Sequence, residues 1–182
     1  LERQVDDNTA LVTIMYANNE TGTIFPVEKI ARLVKSKGAV FHTDAVQIVG
    51  KIPLNLKDSA IDLLSLSGHK LHAPKGVGIL YARKGTRLSP CMLGGHQEAG
   101  RRAGTENVPG IVGLGKACEL AAANLEEENN KVKYLRDKLE RALMEKCPDC
   151  RLNGDCQDRL PNTCNVSFEY IEGEAILLML DK

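Results

Sequence analysis

The chain has 182 residues, and its 24 basic and 24 acidic side chains leave a formal net charge of +0. That balance gives no electrostatic case for nucleic acid, and no apolar run approaches the ~20 residues needed to span a bilayer. Hydrophobic residues at 43% and charged residues at 26% suit a globular protein with one sizeable core, or one domain and part of a second. The opening Leu1-Glu2-Arg3 has neither a methionine nor a basic-then-apolar leader, so the natural chain is expected to begin upstream.

Residues 11–17 form a β-rich run bounded by the loop signal Asn18-Asn19-Glu20-Thr21-Gly22. Pro26 opens a helical pattern in which Val27, Ile30, Ala31 and Val34 share a face, with a basic last turn and a stop at Gly38. A second strand over residues 39–43 ends at Asp44. After a linking stretch with Pro53, the alternating run from Asp62 reads as a strand that stops at Ser67-Gly68-His69-Lys70. Residues 77–82 make a further strand in near-hairpin proximity to it. This strand and helix rhythm predicts an α/β fold with a largely parallel sheet, in which ligands gather outside the carboxyl ends of the strands.

Residues 93–107 are a polar, glycine-studded loop, and Asn107 with Pro109 signals a helix start. From there to about Lys146 the chain reads as helix, ~55–60 Å if unbroken. The spacing changes near residues 124–130, so a bend or break is expected there, as the helix leaves one domain for another. Val132, Leu135, Leu139 and Leu143 then form a fresh apolar stripe, and charge runs such as Glu126-Glu127-Glu128 read as a solvated face. Two short strands around Arg151 and residues 165–170 follow, then a helix opening at Glu172-Gly173-Glu174. The expected division is residues 1–126, the later part of a large domain, and 127–182, a linking helix and the beginning of a smaller α+β domain. An amphipathic helix at the end of the sequence suggests a piece of a longer protein.

The six cysteines do not resemble a secreted disulfide framework, and free thiols in a reducing cytoplasm are expected. Cys147-Pro148-Asp149-Cys150 matches C-x-x-C, and Cys156 and Cys164 lie close enough in sequence to suggest a zinc set. The second pair lacks that spacing, however, and Cys164 falls within an apparent strand, so no metal is assigned.

Three strands end in polar residues suited to one ligand: Asn18 and Asn19, Asp44, and the Ser67-Gly68-His69-Lys70 turn. A lysine at the mouth of a strand suits a carbonyl trap, and Lys70 is read as holding pyridoxal phosphate as a Schiff base. Asp44 could keep the pyridine nitrogen of that cofactor protonated. It could equally cap a helix, since Gln47 lies three residues on. Gln47 and Asn19 could each reach the cofactor's phenolic oxygen. Ser67, His69 and Thr105 could donate to its phosphate, with Gly68 allowing close approach. His42 and His72 suit a structural role at least as well as a functional one and are left out of the site.

The segment from His42 to Gln47 (HTDAVQ), the Ser67 to Lys70 turn followed by Ala73-Pro74-Lys75-Gly76-Val77-Gly78, and Arg102-Ala103-Gly104-Thr105-Glu106-Asn107 resemble, in order and spacing, the cysteine desulfurases. The resemblance is to the NifS type within the class-V aminotransferase-like enzymes. It continues through Arg159-Leu160-Pro161-Asn162-Thr163 and the stretch from Phe168 to Glu174, and covers practically the whole chain. It implies a fold-type-I pyridoxal-phosphate enzyme, usually a homodimer. Lys70 is then the lysine bonded to the cofactor, Asp44 pairs with the pyridine nitrogen, and Asn19 and Gln47 reach the phenolic oxygen. Ser67 and His69 bind phosphate, and Thr105 does so across the dimer interface.

The family converts L-cysteine to L-alanine and leaves a persulfide on a catalytic cysteine. The sulfur supplies iron–sulfur cluster assembly through a scaffold protein and, in the NifS group, typically nitrogenase. The family's upstream phosphate loop and ring-stacking histidine are absent from these residues. Its catalytic cysteine loop and substrate-carboxylate arginine are expected beyond Lys182, so none of the six cysteines is assigned as nucleophile. Two alternatives remain: a selenocysteine lyase or other class-V enzyme on the same scaffold, and, for the segment alone, a non-catalytic dimerisation or scaffold-docking module.

Overall fold

The structure, a computed structural model, describes residues 1–181. Its internal contacts group the chain into two units, one of residues 1–17 and 25–125, the other of Asn18–Ile24 with the chain from Glu126 onward. Among the described residues no helix is long and apolar enough to cross a membrane.

The first unit is built on a four-stranded sheet, β1 (Leu11–Met15), β2 (Val40–Asp44), β3 (Leu63–Ser67) and β4 (Gly78–Ala82), in the order β1-β2-β3-β4. The first three strands run parallel and β4 is antiparallel to β3. The mixed sheet with helices is the α/β architecture expected, with one antiparallel edge. Between β1 and β2, α1 (Val27–Ser36) buries Val27, Ala31 and Val34, three positions on one helical face. They belong to a core with Phe41, Ile48, Ile61 and Leu64, each at most 1% exposed.

The other face of the sheet is more polar. His42 Nδ1 lies 2.6 Å from Thr13 Oγ1, and its Nε2 lies 3.2 Å from Ser65 Oγ, so one imidazole ties β1, β2 and β3 together. His42 is thus hydrogen-bonded within the sheet through both ring nitrogens. Burial lowers its pKa, partly opposed by the Asp44 carboxylate.

The 39 residues Val108–Lys146 form one continuous helix, α3, which corrects the expectation of a break near residues 124–130. The stretch is polar but holds no helix breaker, and Asn124 Nδ2 donates to the Leu120 carbonyl at 2.8 Å, four residues back along the same helix. At its start, Asn107 Oδ1 accepts the Gly110 N–H at 3.1 Å, the N-cap the sequence indicates. In the first unit Leu114 of α3 packs with Leu71 and Ala73, flanked by Val77, Ala117 and Ala121.

In the second unit β5 (Cys150–Leu152) pairs antiparallel with β6 (Val166–Phe168), and α4 (Gly173–Leu180) follows. The apolar stripe expected on α3 does not face inward here. Leu135 and Leu139 are each 53% exposed, whereas Arg136 is buried. The cause is polar: Arg136 Nη1 donates to the Leu160 and Thr163 carbonyls at 3.1 and 3.2 Å, which turns the Arg136 and Glu140 side of the helix toward the unit's interior. All six cysteines are free thiols. Burial and the nearby Glu140 carboxylate raise the Cys164 pKa, which keeps it a protonated thiol at neutral pH.

Candidate functional site

At the carboxyl edge of the parallel strands, β3 ends at Ser67 and the chain winds into a 3-10 turn over Gly68–Leu71. Lys70 thus stands in a turn just beyond the strand, exposed, while Gly68 beneath it is buried. The requirement for glycine at position 68 comes from the protein itself. A Cβ there would lie 2.9 Å from Val77 Cγ1 and 3.0 Å from the Val77 carbonyl, which accepts the Gly68 N–H at 2.9 Å. The turn is therefore pinned to the start of β4 before any ligand is considered.

Ser67 Oγ and His69 Nδ1 are 2.7 Å apart, so the two proposed phosphate ligands form one hydrogen-bonded pair beside Lys70. In the neighbouring strand Asp44 is the last residue of β2, in register with Ser65 and exposed. Its Oδ1 accepts the Val46 N–H at 2.9 Å, closing a local turn. No helix follows, so the capping-box alternative with Gln47 is not realised, and Oδ2 has no hydrogen-bond partner among the described residues. Gln47 sits half-buried in the same turn, its side-chain amide without a partner among the described residues.

One residue that the sequence reading passed over belongs here. The Lys51 amine donates to the Gln47 carbonyl at 2.9 Å, and its pKa is lowered by burial and then by the positive charge of Lys70. The signal available in the sequence was its place four residues after Gln47, one helical turn on.

Asn19 and Thr105 stand on other segments of the chain, and both are exposed. Thr105 lies in the exposed loop that holds α2 (Gln97–Gly100), a single turn with left-handed φ at Glu98 and Ala99. Asn19 belongs to the second unit and is exposed. Its neighbour Asn18 organises the turn, accepting the Glu20 and Thr21 N–H groups at 2.9 and 2.8 Å on Oδ1.

The first unit thus presents an amine, a carboxylate with a free oxygen, and a hydroxyl–imidazole pair along one strand edge. That donor set fits a phosphorylated pyridine aldehyde: the amine for the carbonyl, the carboxylate for the ring nitrogen, the pair for the phosphate. A cleft of about 470 Å³ elsewhere in the unit, lined by Lys35, Asp62, Arg83 and Arg87 among others, contains none of these residues.

Comparison with known proteins finds that the profile of the aminotransferase class-V family matches residues 1–182. A cysteine desulfurase of Nostoc sp. is 65% identical over all 182 residues, which cover 46% of that protein. The cysteine desulfurase NifS of Azotobacter vinelandii is 60% identical over 176 residues, 97% of this chain and 44% of that one. Among solved structures, a NifS-like protein superimposes with a TM-score of 0.92 at 47% identity, covering 99% of this chain and 49% of that one. A NifS-like protein from Rickettsia africae gives 0.90 at 34% identity, covering 99% and 50%. The chain spans about half the length of the curated relatives it matches.

Proposed function

This chain belongs to the aminotransferase class-V family, and on that premise we propose that the full-length protein is a cysteine desulfurase. Class-V aminotransferases and cysteine desulfurases depend on pyridoxal phosphate. The observation that carries the proposal for these residues is the Gly68–Leu71 turn, which exposes Lys70 beside the Ser67–His69 pair at the carboxyl edge of the sheet, one strand from Asp44.

When bound, the cofactor supplies an electron sink for charge developing at the substrate α-carbon. Lys70 would provide the amine that holds the cofactor's aldehyde carbon and would carry the proton at the substrate α-carbon. Asp44 holds a proton on the pyridine nitrogen. Ser67 and His69 orient the phosphate, and Gln47 and Asn19 orient the ring through its phenolic oxygen. The exposed loop of Thr105 suits a phosphate contact made across a homodimer.

The proposed reaction takes L-cysteine and an enzyme thiol to L-alanine and an enzyme persulfide, the thiol being assigned to none of the six cysteines here. By the sequence resemblance, the proposal extends to sulfur delivery in the cytoplasm to an iron–sulfur scaffold protein, with nitrogenase as the end user. The test is the full-length protein with pyridoxal phosphate and L-cysteine. Alanine and a trapped persulfide are expected in equal amounts in the first turnover. Turnover of selenocysteine without turnover of cysteine would assign a selenocysteine lyase, and alanine formation from neither would contradict the proposal.

A further inference from the structure

Resting on the reading of Asn19 as a cofactor contact, we propose that Arg159 and the chain around it position the turn that presents Asn19. These residues thereby set the conformation in which the Asn19 side chain is presented.

The segment Asn18–Ile24 follows β1 in sequence, yet its contacts place it in the second unit. Four hydrogen bonds tie it to the stretch around residues 155–165. Ile24 N–H donates to the Asp158 carbonyl at 2.7 Å, and Leu160 N–H donates to the Gly22 carbonyl at 2.8 Å. Asp155 N–H donates to Thr23 Oγ1 at 3.1 Å, and Asn165 Nδ2 donates to the Glu20 carbonyl at 3.1 Å. Thr23 and Arg159 form an antiparallel bridge at the centre of this set.

The fit is steric as well as polar. Gly22 has φ of +75°, and a Cβ on it would lie 2.7 Å from Thr163 Cβ and 3.0 Å from Arg159 Cγ. The turn is also closed on itself. Asn18 N–H donates to the Thr23 carbonyl at 2.9 Å, and Gly22 N–H to the Asn18 carbonyl at 3.0 Å. A displacement of Gly22 or Thr23 therefore carries Asn19 with it.

Arg159 is the costly member of the arrangement. Its side chain is 3% exposed, and Nη2 is 2.7 Å from Glu140 Oε2. Nε and Nη1 have no acceptor among the described residues. A buried guanidinium with two unpartnered nitrogens is a poor choice for stability alone, because an apolar side chain of similar volume avoids the desolvation. What it does supply is a fixed wall against Gly22, backed by Arg136, whose hydrogen bonds to the Leu160 and Thr163 carbonyls hold the same stretch from α3. Arg159 is thus a positioning residue, acting through Gly22 and Thr23 on Asn19.

The test uses the full-length protein with pyridoxal phosphate. Three changes loosen the turn by different routes: Gly22→Ala, Asn165→Ala, and the paired change Arg159→Met with Glu140→Gln, which leaves no buried charge alone. Hydrogen exchange of residues 18–24, affinity for pyridoxal phosphate and the pH profile of cofactor absorbance are measured, with Asn19→Ala as reference. Exchange in the turn should rise by roughly tenfold or more in each variant while β2 and β3 keep their protection. The paired change should weaken cofactor binding and move the absorbance profile in the direction of Asn19→Ala, with no further loss when the two are combined. Unchanged exchange in the turn, or losses that simply multiply, would overturn the positioning role alone. If Asn19→Ala leaves affinity and absorbance unaltered, the reading of Asn19 fails and the inference fails with it.

Discussion

The two units bury opposite kinds of side chain. In the first, the least exposed side chains include Phe41, Ile48, Ile61, Leu64, Val27 and Val34, and the chemically useful groups stand at the strand edge. In the second, Leu160 shares the interior with Arg136 and Arg159, while Leu177, Leu178, Met179 and Leu180 of α4 are about 70–80% exposed. The first unit is therefore held by apolar burial, which tolerates polar edges. The second is held at its centre by guanidinium groups reaching main-chain carbonyls and a carboxylate. A strand edge fixed by an apolar core is a stiff platform for a ligand, whereas polar clamps hold particular segments in place.

The contrast is broken most directly by truncation. In the 182-residue chain, Phe41→Ala should cost about 3–5 kcal/mol in chemical denaturation, whereas Leu178→Ala should stay within about 0.5 kcal/mol, since it removes little area buried in that chain. Equal losses at the two sites would mean that α4 is as deeply packed as β2. Next in size, Arg136→Met should cost roughly 1–3 kcal/mol by leaving the Leu160 and Thr163 carbonyls without their donor. Its hydrogen-exchange signature should appear in residues 158–165 and leave β2 and β3 untouched.

The smallest effect expected is on pH dependence. Burial lowers the pKa of His42, so on acidification the unfolded chain takes up a proton near the ordinary value of 6.5 before the folded chain does. Stability should fall as the pH drops from about 6.5 toward the lowered folded value and level off below it. His42→Gln should flatten that slope in a denaturation series, and an unchanged slope would locate the titrating group elsewhere.

Legibility in the sequence follows the same division. The order of β1, α1, β2, β3 and β4 was readable because apolar residues alternate or recur on one face and end at polar loop signals. The placement of Lys70, Ser67, His69 and Asp44 along one edge was readable because strand ends in a parallel sheet converge there. The inward side of α3 was not, since apolar periodicity gives Leu135 and Leu139 where the structure buries Arg136 and turns Glu140 partly inward. Nothing in the spacing of Asn18-Asn19-Glu20-Thr21-Gly22 tells that the segment is built into the second unit, because its partners at residues 155–165 lie far along the chain. Gly68 looked like room for a ligand and proves to be room for Val77.

The assignment of Lys70 is tested most directly by borohydride reduction of the full-length protein with pyridoxal phosphate, followed by intact mass and peptide mapping. The assignment predicts one cofactor fixed to Lys70 in the wild-type protein and none in Lys70→Ala, whose thermal unfolding in the cofactor-free form should match wild type. A Lys70→Ala protein that still carries the reduced cofactor, on Lys51 or any other amine, would contradict it.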